Sequence, residues 1–349
     1  MRNETRALFN GYLDQVAKLN GITSAIVKFN VAPSVQQKLE TAIQESSALL
    51  QKINVITVTE QEGESILLGV NGPIASRTNT AGGNRRNPAD RSALNKDSYS
   101  CKQTNFDSAF PYPLIDAWAK FPDFQVRLSK AITDRQALDR LMIGFNGISA
   151  AAATDIVKNP LLQDVNKGWL QKIREGASDR VMDEVVEGSK KVTIGATGDY
   201  KSLNGLVYDL VQLLDPWHRS RPDLVVLVSR DLMHDKLLAA VEKGAASNVE
   251  ENAADQILSK ARLGGLPVVD APFFPEKTVL ITTLANLSIY VQEGGRRRYL
   301  KDEPEYDRIA DYQSSNDAYV IEDLGLVALA ENIEAVPDVP AKTAETTEA

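Results

Sequence analysis

The sequence predicts an α+β fold, and three observations carry the prediction. From Trp118 to Gly147 apolar residues fall at Phe124, Leu128, Ile132, Leu138, Leu141, Met142 and Phe145. That spacing tracks a 3.6-residue repeat over about six turns. A period of two appears upstream, between Ile53 and Val70, and again after residue 286. Between these regions, residues 155–290 mix amphipathic helices with short, continuously apolar strands. At 1.5 Å per residue the helix from Phe124 to Phe145 reaches roughly 32 Å, enough to cross a domain. No acid, base or metal ligand is grouped along it as chemistry would need. It reads as a strut, continuous from Trp118.

The elements follow in order. Thr5 to Leu19 places Leu8, Phe9, Tyr12, Leu13, Val16 and Leu19 on one helical face and stops at Asn20-Gly21. A short extended link runs to Ala32-Pro33, which makes this first helix separable from the rest. Ser34 with Gln37 forms a capping-box pattern opening a second helix with Val35, Leu39 and Ile43 on one side. Val55 to Val58, a turn at Gln61–Glu64 and Ile66 to Leu68 read as strand, turn and strand. Asn71 to Ser100 carries Gly72-Pro73, Gly82-Gly83 and Asn84-Arg85-Arg86-Asn87-Pro88 with few large apolar side chains. It is expected to form a long loop or hairpin arm whose business is to touch something else. Tyr99 to Phe110 returns as a strand, interrupted by Pro111 and Pro113.

In the later half, Leu203–Leu214, Asp231–Lys243 and Asn252–Arg262 are expected helices, and Asp223–Ser229 a strand buried on both faces. Gly264-Gly265-Leu266-Pro267 is a turn before strands at Val268-Val269 and Val279–Ile281. Asn286–Arg298, Tyr306–Tyr312 and Ala318–Ile333 alternate like three antiparallel strands. After Val336 the polar PDVPAKTAETTEA is expected to be a disordered tail.

At 349 residues the chain exceeds one ordinary core, so two subdomains are expected. A single cysteine, Cys101, excludes an internal disulfide framework and suits a reducing compartment. Two histidines sixteen apart, His218 and His234, cannot make a zinc site with one cysteine. Apolar runs such as Leu224–Val228 are too short to span a bilayer, and the N-terminus lacks a signal-peptide core, so a soluble cytosolic protein is expected. A net charge of −8 argues against a nucleic-acid reader.

Catalytic patterns are missing. Neither a Walker A loop nor G-x-G-x-x-G occurs, and there is no G-x-S-x-G elbow. Arg85 and Arg86 beside Gly82-Gly83 read as basic decoration of the arm in preference to an anion cradle. His218 reads as a helix-end or loop residue, His234 as a surface residue, and Cys101 as a small buried hydrophobe. The most suggestive charges are Arg296, Arg297 and Arg298 set against Asp302, Glu303, Glu305 and Asp307. They can decorate a solvated hairpin or pair across a subunit boundary, at about 0–1 kcal/mol per exposed pair.

Stretches in order along the chain resemble the major capsid proteins of P2-like tailed phages, a branch of the Hong Kong 97-type coat fold. They include MRNETRALFNGYL, TAGG (80–83), FNG (145–147), LLQDVNKGWLQK (161–172), RPDLVVLVSRDLM (221–233), NLSIY (286–290) and DYQSSNDAYVIEDLG (311–325). The resemblance implies the following division: 1–31 a removable N-terminal segment, 32–56 an N-terminal arm, 57–112 an extended loop reaching over a neighbour. Residues 113–154 and 286–336 would form a peripheral domain carrying the spine helix, 155–285 an axial domain, and 337–349 a tail. It implies self-assembly into hexamers and pentamers of an icosahedral head around double-stranded DNA, with proteolytic processing near Phe29, Asn30 and Val31. Expected partners are further copies, an internal scaffold and maturation protease, a portal, and DNA held by weak contacts, with no cofactor, no metal and no membrane. Expected localisation is the virion, with the host cytoplasm during assembly. The fold's archetype joins lysines to asparagines covalently, and no such pair is matched here. A compartment of the same fold storing a cargo enzyme, and a cytosolic α/β small-ligand enzyme, stand as alternatives.

Overall fold

The computed structural model describes residues 1–70, 75, 77, 85, 92–119, 121, 124–233 and 262–336. The chain opens with α1 (Asn3–Asn20), β1 (Phe29–Asn30) and α2 (Pro33–Glu45). Strand β2 (Asn54–Val58) and the hairpin β3 (Glu62–Val70) and β4 (Ser92–Ser100) follow. Next come β5 (Lys102–Asn105), β6 (Ser108–Pro111), α3 (Tyr112–Trp118), α4 (Phe124–Asn146) and α5 (Trp169–Gly176). The second half holds β7 (Val181–Met182), β8 (Val192–Ile194), α6 (Leu203–Leu210), β9 (Val225–Val228), β10 (Arg262–Leu263), β11 (Leu266–Val269) and β12 (Val279–Thr282). It ends with β13 (Leu287–Gln292), β14 (Arg297–Glu303), β15 (Arg308–Ile321), β16 (Ala328–Ala330) and β17 (Ile333–Ala335).

Two main sheets organise these elements. The first has the order β1-β14-β15-β13-β2, with β5 and β6 also on β15. The second runs β10-β11-β9-β12-β16-β7. Helices α2, α4 and α5 cover one face of the first sheet, and a core of Leu141, Phe145, Trp169, Ile289 and Tyr319 forms beneath them. That core continues into the second sheet through Leu227, Leu280 and Leu329. The opposite face of the second sheet packs on α6 through Leu206, Val207, Val226, Val228 and Ile281. Strand β9 is therefore covered on both sides, as its unbroken apolar run requires.

Several expectations are corrected. The strut begins at Phe124, and a separate helix, α3, ends at Trp118. Pro122 lies between them, and a proline removes a helical N–H and disfavours helix in the residue before it. Helix α2 is capped by the backbone of Ala32 with Pro33 in its first turn, so Ser34 lies inside the helix and makes no capping box. Strand β2 does not pair with its sequence neighbour. It lies parallel to β13, Val55 opposite Ile289, while β3 pairs with β4 from Glu62↔Ser100 to Val70↔Ser92. The last region is not three strands of one sheet. Residues 308–321 form one strand, and Ala328–Ala330 cross to the second sheet, pairing with β12. Segments 234–261 and 337–349, with the two expected helices, His234 and the tail, lie outside the described residues, as does Arg86.

The junction of α4 and α5 explains two sequence fragments, FNG and NKGW. A Cβ on Gly147 would strike the carbonyl oxygens of Asn166 and Ile143, one on Gly168 those of Ile143 and Gly144, and one on Gly144, just ahead of FNG, would overlap the Trp169 ring. Backbones approach at a distance only glycine tolerates. Trp169 is thereby seated against Phe145 and Tyr319, ring centroids 5.2 and 5.3 Å away, and its indole N–H donates to the Ser288 carbonyl at 2.9 Å.

Candidate assembly surfaces and N-terminal clamp

The charges singled out in the sequence separate by strand alternation on β14. Arg296 is 2% exposed, and its guanidinium donates to Glu40 at 2.9 Å, Gln136 at 2.7 Å and Gln313 at 3.1 Å. Glu40 in turn binds Arg140, whose Nε donates to Asp317 at 3.1 Å. Four elements are tied together by this buried network: α2, α4, β15 and the turn before β14. Burial acts to raise the Glu40 carboxyl, but Arg140 and Arg296 outweigh it and hold it below its ordinary value. Burial leaves Asp317 raised despite Arg140, and Arg296 lowered despite Glu40.

Arg298 and Glu303 are likewise engaged inside the chain. Arg298 donates to Asp311 at 2.7 and 3.0 Å and to the Tyr12 hydroxyl at 2.7 Å. Glu303, 4% exposed, accepts from Arg308 at 2.8 Å and from the Tyr312 hydroxyl at 3.0 Å. Asp302 accepts from Arg6 at 2.9 Å and from the Tyr112 hydroxyl. Arg296, Arg298, Asp302 and Glu303 thus find partners within the subunit, as desolvated side chains of such types need. Glu305 and Arg85 are exposed and Arg297 is half-buried.

Helix α1 is docked, not loose. Phe9, Tyr12 and Val16 are buried against Tyr112, Ile115, Leu128, Leu300 and Ile309. Each such side chain contributes about 1.5–3 kcal/mol when removed from water. Gly21 in the left-handed region ends the helix, and the Asn20 side-chain carbonyl accepts the Ala32 N–H at 3.1 Å. Phe29 and Asn30 form the outer strand of the first sheet, and Val31 follows directly after it. Phe29 lies opposite Arg298 and Asn30 opposite Arg297, and the Val31 N–H donates to the Arg296 carbonyl at 3.0 Å. Phe29 and Val31 are buried while Asn30 is exposed.

Other residues are structural. Cys101 is fully buried, and burial pushes its thiol up to about 12, far from a reactive thiolate. His218 sits in a turn with its Nε2 2.9 Å from Asp323. Among the described residues no cluster of three or more His, Cys, Asp or Glu is arranged for a metal ion, and no helix is long and apolar enough to cross a membrane. Sequence periodicity missed the exposed apolar side chains. Val157 is 87% exposed, and Tyr208 and Trp217 on the second-sheet side are 69% and 65% exposed.

Comparison with known proteins fits this absence of chemistry. Residues 8–333 match the family described as phage major capsid protein, P2 family. The chain is 47% identical over 341 residues to the capsid proteins of Escherichia phage P2, covering 95% of each chain. It is 44% identical over 343 residues to the major capsid protein of Serratia phage KSP20, covering 95% of this chain and 97% of that one. Among solved structures, the satellite phage P4 procapsid including size determination (Sid) protein aligns with a TM-score of 0.80 and 44% identity, over 96% of this chain and 99% of that one. The capsid of an empty GTA particle shares the fold at TM-score 0.51 and 17% identity, over 83% and 90%. The cargo-compartment and enzyme alternatives are thereby set aside: a shell subunit works by repeated contact, and the chain belongs to the P2 family of phage major capsid proteins, with the Hong Kong 97-like fold and a place in the wall of the virion.

Proposed function

We propose that this subunit builds an icosahedral head of hexamers and pentamers, using the β3–β4 hairpin as the arm that reaches a neighbour, and that residues 1–31 form a segment removed during maturation. The observation that carries the arm's role is nine residue pairs of antiparallel hairpin, Glu62–Val70 against Ser92–Ser100, forming a sheet of their own apart from the two main ones. A two-stranded ribbon is marginal alone, so a partner's surface is what it needs. Stable contacts between subunits bury on the order of 1,600 Å², and closed shells reuse the same patches around each symmetry axis. Arg297, Glu305 and Arg85 are charges available to tune those contacts. An internal scaffold with its protease, a portal and weakly held duplex DNA complete the set of partners.

Two measurements test the reading. Deleting residues 71–97 is expected to leave a folded subunit that forms no closed particles by negative-stain microscopy, and regular shells from that deletion would refute the arm's role. Intact mass of subunits from mature particles is expected to lack the first 29–31 residues. Full-length subunits throughout mature particles would remove the processing proposal.

A further inference from the structure

Alternation on β14 gives it two different faces. Arg298, Leu300 and Asp302 face α1: the first donates to Tyr12, the second packs in the cluster of Phe9, and the third accepts from Arg6. Arg297, Tyr299 and Lys301 therefore point to the other side. There they border a cleft of about 440 Å³, completed by Lys28 from the link after α1 and by Tyr312 on β15. Tyr299 and Tyr312 are cross-strand partners whose rings stack with centroids 5.8 Å apart and planes 19° apart, giving the cleft a fixed aromatic wall. Lys301 is held by Glu303 at 3.3 Å. Among the described residues, Lys28 and Arg297 have no side-chain hydrogen bond or ion pair. One carboxylate borders the cleft, Asp107, and it accepts the Gln313 N–H at 3.3 Å. In a chain of net charge −8, two uncommitted cations at one aromatic-walled cleft are a local reversal of sign.

We infer that this cleft receives an acidic peptide segment of a protein partner, its carboxylates paired with Arg297 and Lys28. Arg297 presents a planar fork that matches a carboxylate with two parallel hydrogen bonds. Strand β1 is the outermost strand of its sheet, so its far edge offers backbone groups to an extended chain lying beside the cleft. A DNA duplex is the weaker occupant: the net charge repels its backbone, and a cleft this small admits a side chain, not a double helix. The proposal deepens the maturation reading and rests on it in one respect. Lys28 and β1 lie within residues 1–31, so removing that segment takes away one cation and the free edge together. The site is complete only in the precursor, which makes the contact one of assembly and not of the finished shell.

Binding of a fluorescent hexaglutamate peptide to the soluble full-length subunit, followed by anisotropy, tests the site without requiring shells. Lys28→Gln and Arg297→Gln are each expected to weaken binding about fivefold, the scale of one exposed ion pair, whereas Lys18→Gln on α1 leaves it unchanged. Binding unaffected by both substitutions, or a preference for a DNA oligonucleotide that both substitutions abolish, overturns the proposal. Gln103→p-benzoylphenylalanine, at the rim of the cleft, identifies the source in assembled particles by mass. A cross-linked dimer of this chain names a neighbouring copy, and a heterologous adduct names a separate protein. Cross-linking to DNA, or to nothing before processing, overturns the assignment. An adduct of equal yield before and after processing refutes the precursor dependence alone. If subunits are never shortened, the maturation reading fails while the peptide titration still decides the site.

Discussion

Arg296 and Glu40 stand 256 residues apart in sequence and 2.9 Å apart in the fold. Seen as letters, Arg296-Arg297-Arg298 is one basic run. Seen in the structure, it is three environments: a buried network, an open cleft and a clamp on Tyr12. Removing one partner of a buried ion network leaves the other charge uncompensated, which costs about 3–5 kcal/mol. Arg296→Ala is expected to lose stability of that order in chemical denaturation, and a loss under about 1 kcal/mol would show the network to be energetically neutral. The pH dependence follows from direction. Glu40 lies below its ordinary 4.5, so its contribution is present above that value and fades as pH falls through the depressed one. Asp317, raised by burial, acts with the opposite sign: it favours the fold at low pH, and that share is lost as pH rises through its raised value. Comparing wild type with Glu40→Gln isolates the first effect. The gap between their thermal midpoints is expected to narrow on acidification from about pH 6 to 3, and a gap that widens would contradict the assignment.

At the scale of elements, α1 and β1 form one device. The helix is held by its apolar face, by the Tyr12–Arg298 hydrogen bond and by Arg6 on Asp302, and the strand that follows is zipped onto β14. A protease needs an extended segment, and Phe29–Val31 is already extended, yet two of its three side chains are buried. Cutting there requires local opening. Tyr12→Phe removes one hydrogen bond worth about 1 kcal/mol and is expected to speed limited proteolysis at residues 29–31 about fivefold when reclosing outpaces cleavage. An unchanged rate, with an unchanged circular dichroism spectrum, would mean that the apolar face alone holds the helix. The long α4 and the small α1 were legible as helices because each carries an apolar stripe at helical spacing. The partners of those stripes were not, because a stripe records that a face is buried and not against what.

Across the whole molecule, Trp169 joins what the two sheets share. It is fully buried, seated on Gly144, packed edge-to-face against Phe145 and Tyr319, and hydrogen-bonded to Ser288. The same core continues into Leu227, Leu280 and Leu329 of the second sheet. Trp169→Ala is expected to lower stability by about 3–5 kcal/mol and to leave a single calorimetric transition at lower temperature. Two separated transitions would show that the sheets unfold independently. The strand exchange at residues 321–330 serves the same coupling, since β15 ends in one sheet and β16 begins in the other.

What the sequence by itself determined is the inventory: an α+β chain with a long strut, an N-terminal amphipathic helix, an apolar strand buried on both faces and no recognisable catalytic motif. Periodicity and composition are local properties, and residues three or four apart reveal them without reference to anything distant. The tertiary structure alone decided which strands are neighbours, that β2 joins β13 and β16 leaves for the second sheet, and that Arg296 is internal while Arg297 is open. Pairing and burial depend on contacts between residues hundreds apart, and a one-residue step along a strand reverses the face a side chain sees.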